Sequence, residues 1–165
     1  MSIGPIISAL SGVPAGRLVD RWGAPFMAIA GLIAMATGSF ALSALPALFG
    51  VAGYLAAIAI LTPGYQLFQA ANNTAVMLDV SADQRGLVSG LLSLSRNVGL
   101  ITGAAVMGAL FAFASMTTDI TAAPPQAIAG GMQVTFAAAG LLMVFALGIA
   151  VISRGLDKRA SLPVT

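Results

Sequence analysis

Between residues 22 and 78 the chain carries no Lys, Arg, Asp or Glu. A stretch so long and so apolar leaves few folds open. In water its side chains could not cover the apolar surface, whereas in a bilayer it need only satisfy its own backbone, as helices do. The remainder agrees, because only 7% of all residues are charged and 59% are hydrophobic, against roughly 25% charged in an ordinary soluble domain. The expected fold class is all-α, an integral membrane helical bundle embedded in the lipid bilayer.

Composition also excludes several kinds of function. The 7 basic and 5 acidic residues, net charge +2, are too sparse for the basic patch that nucleic-acid binding needs. The chain has no Cys, His or Glu, which removes disulfides, thiolate metal sites and most acid–base machinery. No catalytic residue, metal site or cofactor is expected, and the chain does not read as an enzyme. Residues 1–10 lack a basic leader and contain Gly4-Pro5, unlike a signal peptide. They read as the tail of a membrane helix whose beginning is absent.

A helix needs about 20 apolar residues to cross a bilayer. The predicted spans are 1–19 (partial), 25–43, 47–78, 82–113 and 132–152, followed by a tail over 153–165. That makes four complete transmembrane helices plus a partial one in a single domain. Pro25 starts the second segment, and a turn is expected at Ala44-Leu45-Pro46, where proline ends one helix and starts the next. Pro63-Gly64 is expected to kink the third. Ser81 and Gln84 have capping-box spacing ahead of the fourth. Residues 114–131 form the longest predicted connection. The basic residues give the orientation: Arg17, Arg21, Arg85, Arg154, Lys158 and Arg159 fall on one side by loop parity. By the positive-inside rule that side, with loop 16–24 and the C-terminus, is cytoplasmic.

Two polar stripes could carry function. Thr62, Gln66, Gln69 and Asn73 share one helical face, as interhelical hydrogen-bonding glue, as the wall of a polar cavity beside Pro63-Gly64, or as both. Ser89, Ser93, Arg96 and Asn97 form a similar stripe. Arg96 lies several turns past the start of its helix, and either snorkels to the headgroups or faces a cavity and pairs with a substrate or carboxylate. No acid in these spans could partner it. The pairs Gly12/Gly16, Gly86/Gly90 and Gly99/Gly103 have the spacing that permits close helix approach.

The charged hinge between the first two apolar segments reads G-x-L-x-D-R-x-G over 16–23. Gly16 and Gly23 allow a tight turn, and Asp20 can form a charge cluster with Arg17 and Arg21 or cap a helix N-terminus. This pattern resembles the cytoplasmic loop motif of the major facilitator superfamily of secondary transporters. The sequences DQRGLVSG over 83–90 and SLSRNVG over 93–99 resemble the penultimate helix of its multidrug:proton antiporter branch. The resemblance covers nearly the whole chain and corresponds to the C-terminal half of a major facilitator fold.

That resemblance implies rocking of two half-bundles about a central site, with 12 or 14 helices in all. Gly16, Asp20, Arg21 and Gly23 would form the conformational motif, with Asp20 contacting a helix of the opposite half. Gln66, Gln69, Asn73 and Arg96 would line or border the substrate cavity, beside Ser93 and Asn97 of the same stripe. Ala24 and Pro25 stand where the strongest form of the motif has basic residues, so its ion-pair network is weaker here. The implied partners are a small-molecule substrate, protons, and a missing N-terminal half or another copy of the chain. The expected function is proton-coupled efflux of drugs or metabolites. The alternative is a helical membrane subunit or truncated remnant that packs and does not transport. Abundant Ala, Gly and Arg with one lysine point to a GC-rich bacterium and hence to its inner cell membrane.

Overall fold

The apolar segments fold as helices throughout the described residues. A computed structural model describes the backbone of residues 3–116 and 124–160, with side chains at 12, 14–116 and 124–154. The elements are α1 (Ile3–Trp22), α2 (Ala24–Met77), α3 (Arg85–Ser115) and α4 (Pro125–Ala160). Three of them are long and apolar enough to cross a membrane: Ala24–Met77, Arg85–Ser115 and Pro125–Arg154.

As a straight rod, the 54 residues of α2 would far exceed the ~30 Å hydrocarbon core at 1.5 Å per residue. The helix instead folds back at Gly50, whose φ of 56° and ψ of −133° are its one non-helical pair. Gly31 lies against Phe68, Ala34 against Gly64, Gly38 against Leu61 and Leu45 against Gly53. As one number rises the other falls, so two antiparallel limbs, 24–49 and 51–77, meet around Gly50. The turn expected at 44–46 is thus four residues late. Pro46 is tolerated inside the helix, and the reversal waits for a residue that takes positive φ without a Cβ penalty. Residues 45 to 50 therefore belong to the hairpin's arms and tip rather than to a short linker.

The limbs touch through small residues, the usual means of packing apolar helices closely in lipid. A Cβ added at Gly31 would lie 2.7 Å from the Phe68 backbone nitrogen, and one at Gly64 would lie 2.8 Å from the Ala34 Cβ. The glycine pairs expected to do this work do not. A Cβ at Gly12, Gly16, Gly86, Gly90, Gly99 or Gly103 would meet nothing within 4 Å. Their spacing places each pair on one face, but among the described residues nothing packs closely against these glycines.

The hinge is also rearranged. Helix α1 continues to Trp22, so residues 16–22 are helical and Gly23 alone makes the break, with φ 85° and ψ 142°. The Gly23 N–H donates to Val19 O at 2.9 Å, and the Met27 N–H donates to Gly23 O at 3.2 Å. Trp22 and Phe26 stack across the break with centroids 6.2 Å apart. Beneath them Val19, Ala24, Met27 and Ala71 are buried together, which joins α1 to the second limb of α2. The first two residues of the expected partial span, 1–2, lie outside the described residues.

Helix α3 starts at Arg85, and the expected capping box is absent: Gln84 is the cap residue, with helical φ/ψ and no side-chain cap bond. Ser81 and Gln84 instead close a turn, with the Gln84 N–H donating to Ser81 O at 3.1 Å. The helix ends on Met116 in the left-handed region. Of the expected connection over 114–131, residues 117–123 lie outside the described residues, and α4 already begins at Pro125, which needs no N–H at that position. Helical backbone then runs through the expected tail to Ala160, while 161–165 lie outside the described residues.

Helix α4 packs along α2 and also against α3, whereas α3 and α2 meet only narrowly. The Ser43 hydroxyl donates to Gln133 O at 2.8 Å near one end. The Arg154 Nη1 reaches Pro25 O at 3.5 Å near the other. Gly23, loop 78–84 and Arg154 therefore lie at one end of the bundle, and Gly50 and the start of α4 at the opposite end. Of the basic residues that sequence parity assigned to one side, Arg21, Arg85 and Arg154 lie at this end.

Candidate functional site

The narrow meeting of α2 and α3 leaves a groove of about 280 Å³ between the second limb and α3. Its α2 wall is Tyr65, Phe68, Gln69, Asn72 and Asn73, and its α3 wall is Leu92, Ser95, Arg96, Gly99 and Leu100. Both sets repeat at three and four residues, so each is one helical face. Arg96 Nη2 donates to Gln69 Oε1 at 3.0 Å, and Gln69 Nε2 donates to the Tyr65 hydroxyl at 2.7 Å. The tyrosine orients the amide so that its oxygen faces the guanidinium. This relay joins two elements that otherwise hardly touch.

Of the residues expected at a cavity, Gln69, Asn73 and Arg96 share this groove, while Gln66, Ser93 and Asn97 lie outside its lining. Choosing a face by polarity alone rotated it slightly. The true walls include Phe68 and Leu92, which polarity cannot find, Tyr65 and Asn72, which the three-and-four spacing from Gln69 would have found, and Ser95, which adjoins Arg96. Of the two readings of Arg96, the guanidinium turns toward the groove. Pro63 and Gly64 do not border this polar groove. They line a separate, largely apolar cavity of about 290 Å³ with Pro14, Leu18 and Leu67, and α2 keeps helical dihedrals there. Gly64 serves close packing instead.

In the hinge motif, Arg17, Asp20 and Arg21 are exposed on the last turns of α1 and form no ion pair among the described residues. The expected charge cluster is therefore not closed. Spacing along one helix brings these side chains near each other, but their exposure gives little reason to hold them together. Gly16 is helical and uncrowded, and Gly23 makes the turn. No group of three or more potential metal ligands occurs among the described residues.

No family model matches the chain, and no solved structure matches it. Over 103 residues, 62% of its length, the chain is 30% identical to the "Uncharacterized transporter YebQ" of Escherichia coli (strain K12). The protein it resembles is a transporter. The matched stretch spans 22% of that relative, so the chain corresponds to about a fifth of its length. Apolar helices of spanning length, a likeness to a transporter and a polar groove between helices are together consistent with a membrane transporter.

The loop at the basic end carries one perturbed group. The Ser81 hydroxyl donates to the Asp83 carboxylate and, with the Asp83 backbone N–H, holds its pKa below the ordinary aspartate value. A depressed carboxyl pKa adds its stabilisation above the ordinary value and loses it as pH falls through the lowered one. Ser81→Ala is expected to return the Asp83 pKa toward the ordinary value. Carboxyl carbon chemical shifts followed through an acid titration measure this, and an unchanged midpoint would contradict the bond.

Proposed function

We propose that this chain is the C-terminal part of a secondary transporter of major facilitator type, with the α2–α3 groove as one wall of its substrate cavity. The observation that carries the reading is the Arg96–Gln69–Tyr65 relay, a charged polar group set within helices that otherwise carry almost none. A charge there is costly in lipid, so intramembrane arginines serve bundle interiors or aqueous paths. In this reading α2 crosses the bilayer twice, which makes four complete spans with α1 as a partial fifth, and the end bearing Gly23 and Arg154 faces the cytoplasm. Transport is proton-coupled efflux, and a second half supplies the opposite wall of the cavity.

Topology is testable directly, because the chain has no native cysteine. Single cysteines at Leu48 or Val51, both strongly exposed near the reversal, are expected to react with a membrane-impermeant maleimide from outside intact cells. A cysteine at Ser81 is expected to react only after the membrane is opened. Labelling of residues 48 and 81 from the same side would overturn the double crossing of α2.

Transport itself is tested in proteoliposomes carrying a proton gradient. The chain alone is expected to give no saturable flux of substrate. Reconstituted with the preceding half encoded upstream, it is expected to give flux that Arg96→Ala lowers at least tenfold. Saturable, gradient-driven flux by this chain alone would refute its being half of the machine. An upstream sequence encoding no further spans would favour a non-transporting membrane subunit.

A further inference from the structure

We infer that the α2–α3 groove selects organic monoanions, such as an aromatic carboxylate, over cations; this rests on the groove being a ligand site, as proposed above. Arg96 is the one formal charge in the groove, and no acidic residue lines it. Among the described residues Arg96 forms no ion pair, and its bond to Gln69 uses Nη2 toward a neutral amide oxygen. A guanidinium presents five N–H donors in a planar fork that suits a carboxylate, so most of that fork is left for a ligand. The amide of Asn73 and the hydroxyl of Ser95 are neutral hydrogen-bonding groups in the same walls, and Phe68 and Tyr65 add aromatic surface. One net positive charge beside aromatic rings matches one negative charge on an apolar body. A cation would meet like charge, and a dianion would stay half-compensated. Arg96 lies eleven residues into α3, about 16 Å along its axis at 1.5 Å per residue.

The test is equilibrium binding to the full chain in phosphatidylcholine nanodiscs, using 2-naphthoate, neutral 2-naphthamide and cationic 2-naphthylmethylammonium as matched probes. Naphthoate is expected to bind at least tenfold more tightly than either of the others. Arg96→Gln is expected to remove that preference while leaving naphthamide binding within twofold. Gln69→Glu places a carboxylate against Arg96 within the chain. It is expected to keep the fold, read by a thermal midpoint at or above that of the parent, and to lose at least tenfold in naphthoate affinity.

Equal or tighter binding of the cation, or naphthoate affinity unchanged by both substitutions, would overturn the inference. So would a collapse of naphthoate binding when phosphatidylglycerol replaces phosphatidylcholine, because the arginine's partner would then be a lipid phosphate. Selective naphthoate binding without flux by the two assembled halves would sink the transport reading and leave the anion preference standing. Flux of a cation by the assembled halves that Arg96→Ala still lowers tenfold would do the reverse.

Discussion

Gly31→Ala is expected to destabilise the α2 hairpin by about 1–3 kcal/mol, the usual cost of overpacking a close contact. The added Cβ would lie 2.7 Å from the Phe68 backbone nitrogen and 2.9 Å from its Cα. Backbone cannot swing aside as a flexible side chain can, so the limbs must separate. Gly38→Ala should behave alike, since its Cβ would lie 2.7 Å from the Leu61 Cβ and 2.8 Å from its Cα. Controls are available in the same chain. Gly86→Ala and Gly103→Ala add a methyl where nothing lies within 4 Å, and better helix propensity should leave stability equal or slightly higher. Unfolding with sodium dodecyl sulfate in mixed micelles, followed by the fluorescence of the single tryptophan, Trp22, measures all four. Equal losses at positions 31 and 86 would mean that the limbs do not pack this way.

The tip of the hairpin should be as sensitive, for two different reasons. A Cβ at Gly53 would run into the Leu45 carbonyl, so Gly53→Ala forces apart backbone on both sides of the turn. At Gly50 there is space, but φ 56° with ψ −133° is a conformation that L-residues reach only with strain of about 1–3 kcal/mol. Gly50→Ala therefore costs through its dihedrals and Gly53→Ala through contact. The sites are close enough to couple, so the double variant need not lose the sum of the two. It is expected to lose the sharp unfolding transition of the parent and to become cleavable by protease near residue 50. Resistance to cleavage at that point would show that the reversal tolerates side chains and lies elsewhere.

The helices themselves were legible because lipid leaves the backbone no other way to satisfy itself, so runs of apolar residues marked them directly. Boundaries were less legible. Pro46 looked like a helix end because proline lacks an N–H, yet one missing bond near a terminus does not stop a helix that packs along its neighbour. The capping-box spacing at Ser81 was present, but the Gln84 N–H donates to the Ser81 carbonyl rather than to its hydroxyl, which donates to Asp83. Local hydrogen bonds of this kind offer the backbone an alternative to the cap. Glycine spacing misled in a similar way. Pairs four apart marked a face in α1 and α3, but the close approaches between the limbs of α2 occur at Gly31, Gly38, Gly53 and Gly64, set by which residues face one another across the turn at Gly50.

The groove shows the same division. Gln69, Asn73 and Arg96 could be read as site residues because polar side chains in an apolar span are costly and need a reason to be there. That Arg96 meets Gln69, with Tyr65 behind it, depends on how the second limb and α3 lie, which no local pattern encodes. By itself the sequence determined the all-helical membrane character, the scarcity of charge within the spans and the likeness to transporters, since each follows from composition or short-range pattern. Only the tertiary structure decided where α2 reverses, which glycines hold its limbs together and which polar residues share a groove. Those depend on contacts between residues far apart in the chain, and a helical face records only that it is apolar or polar, not what covers it.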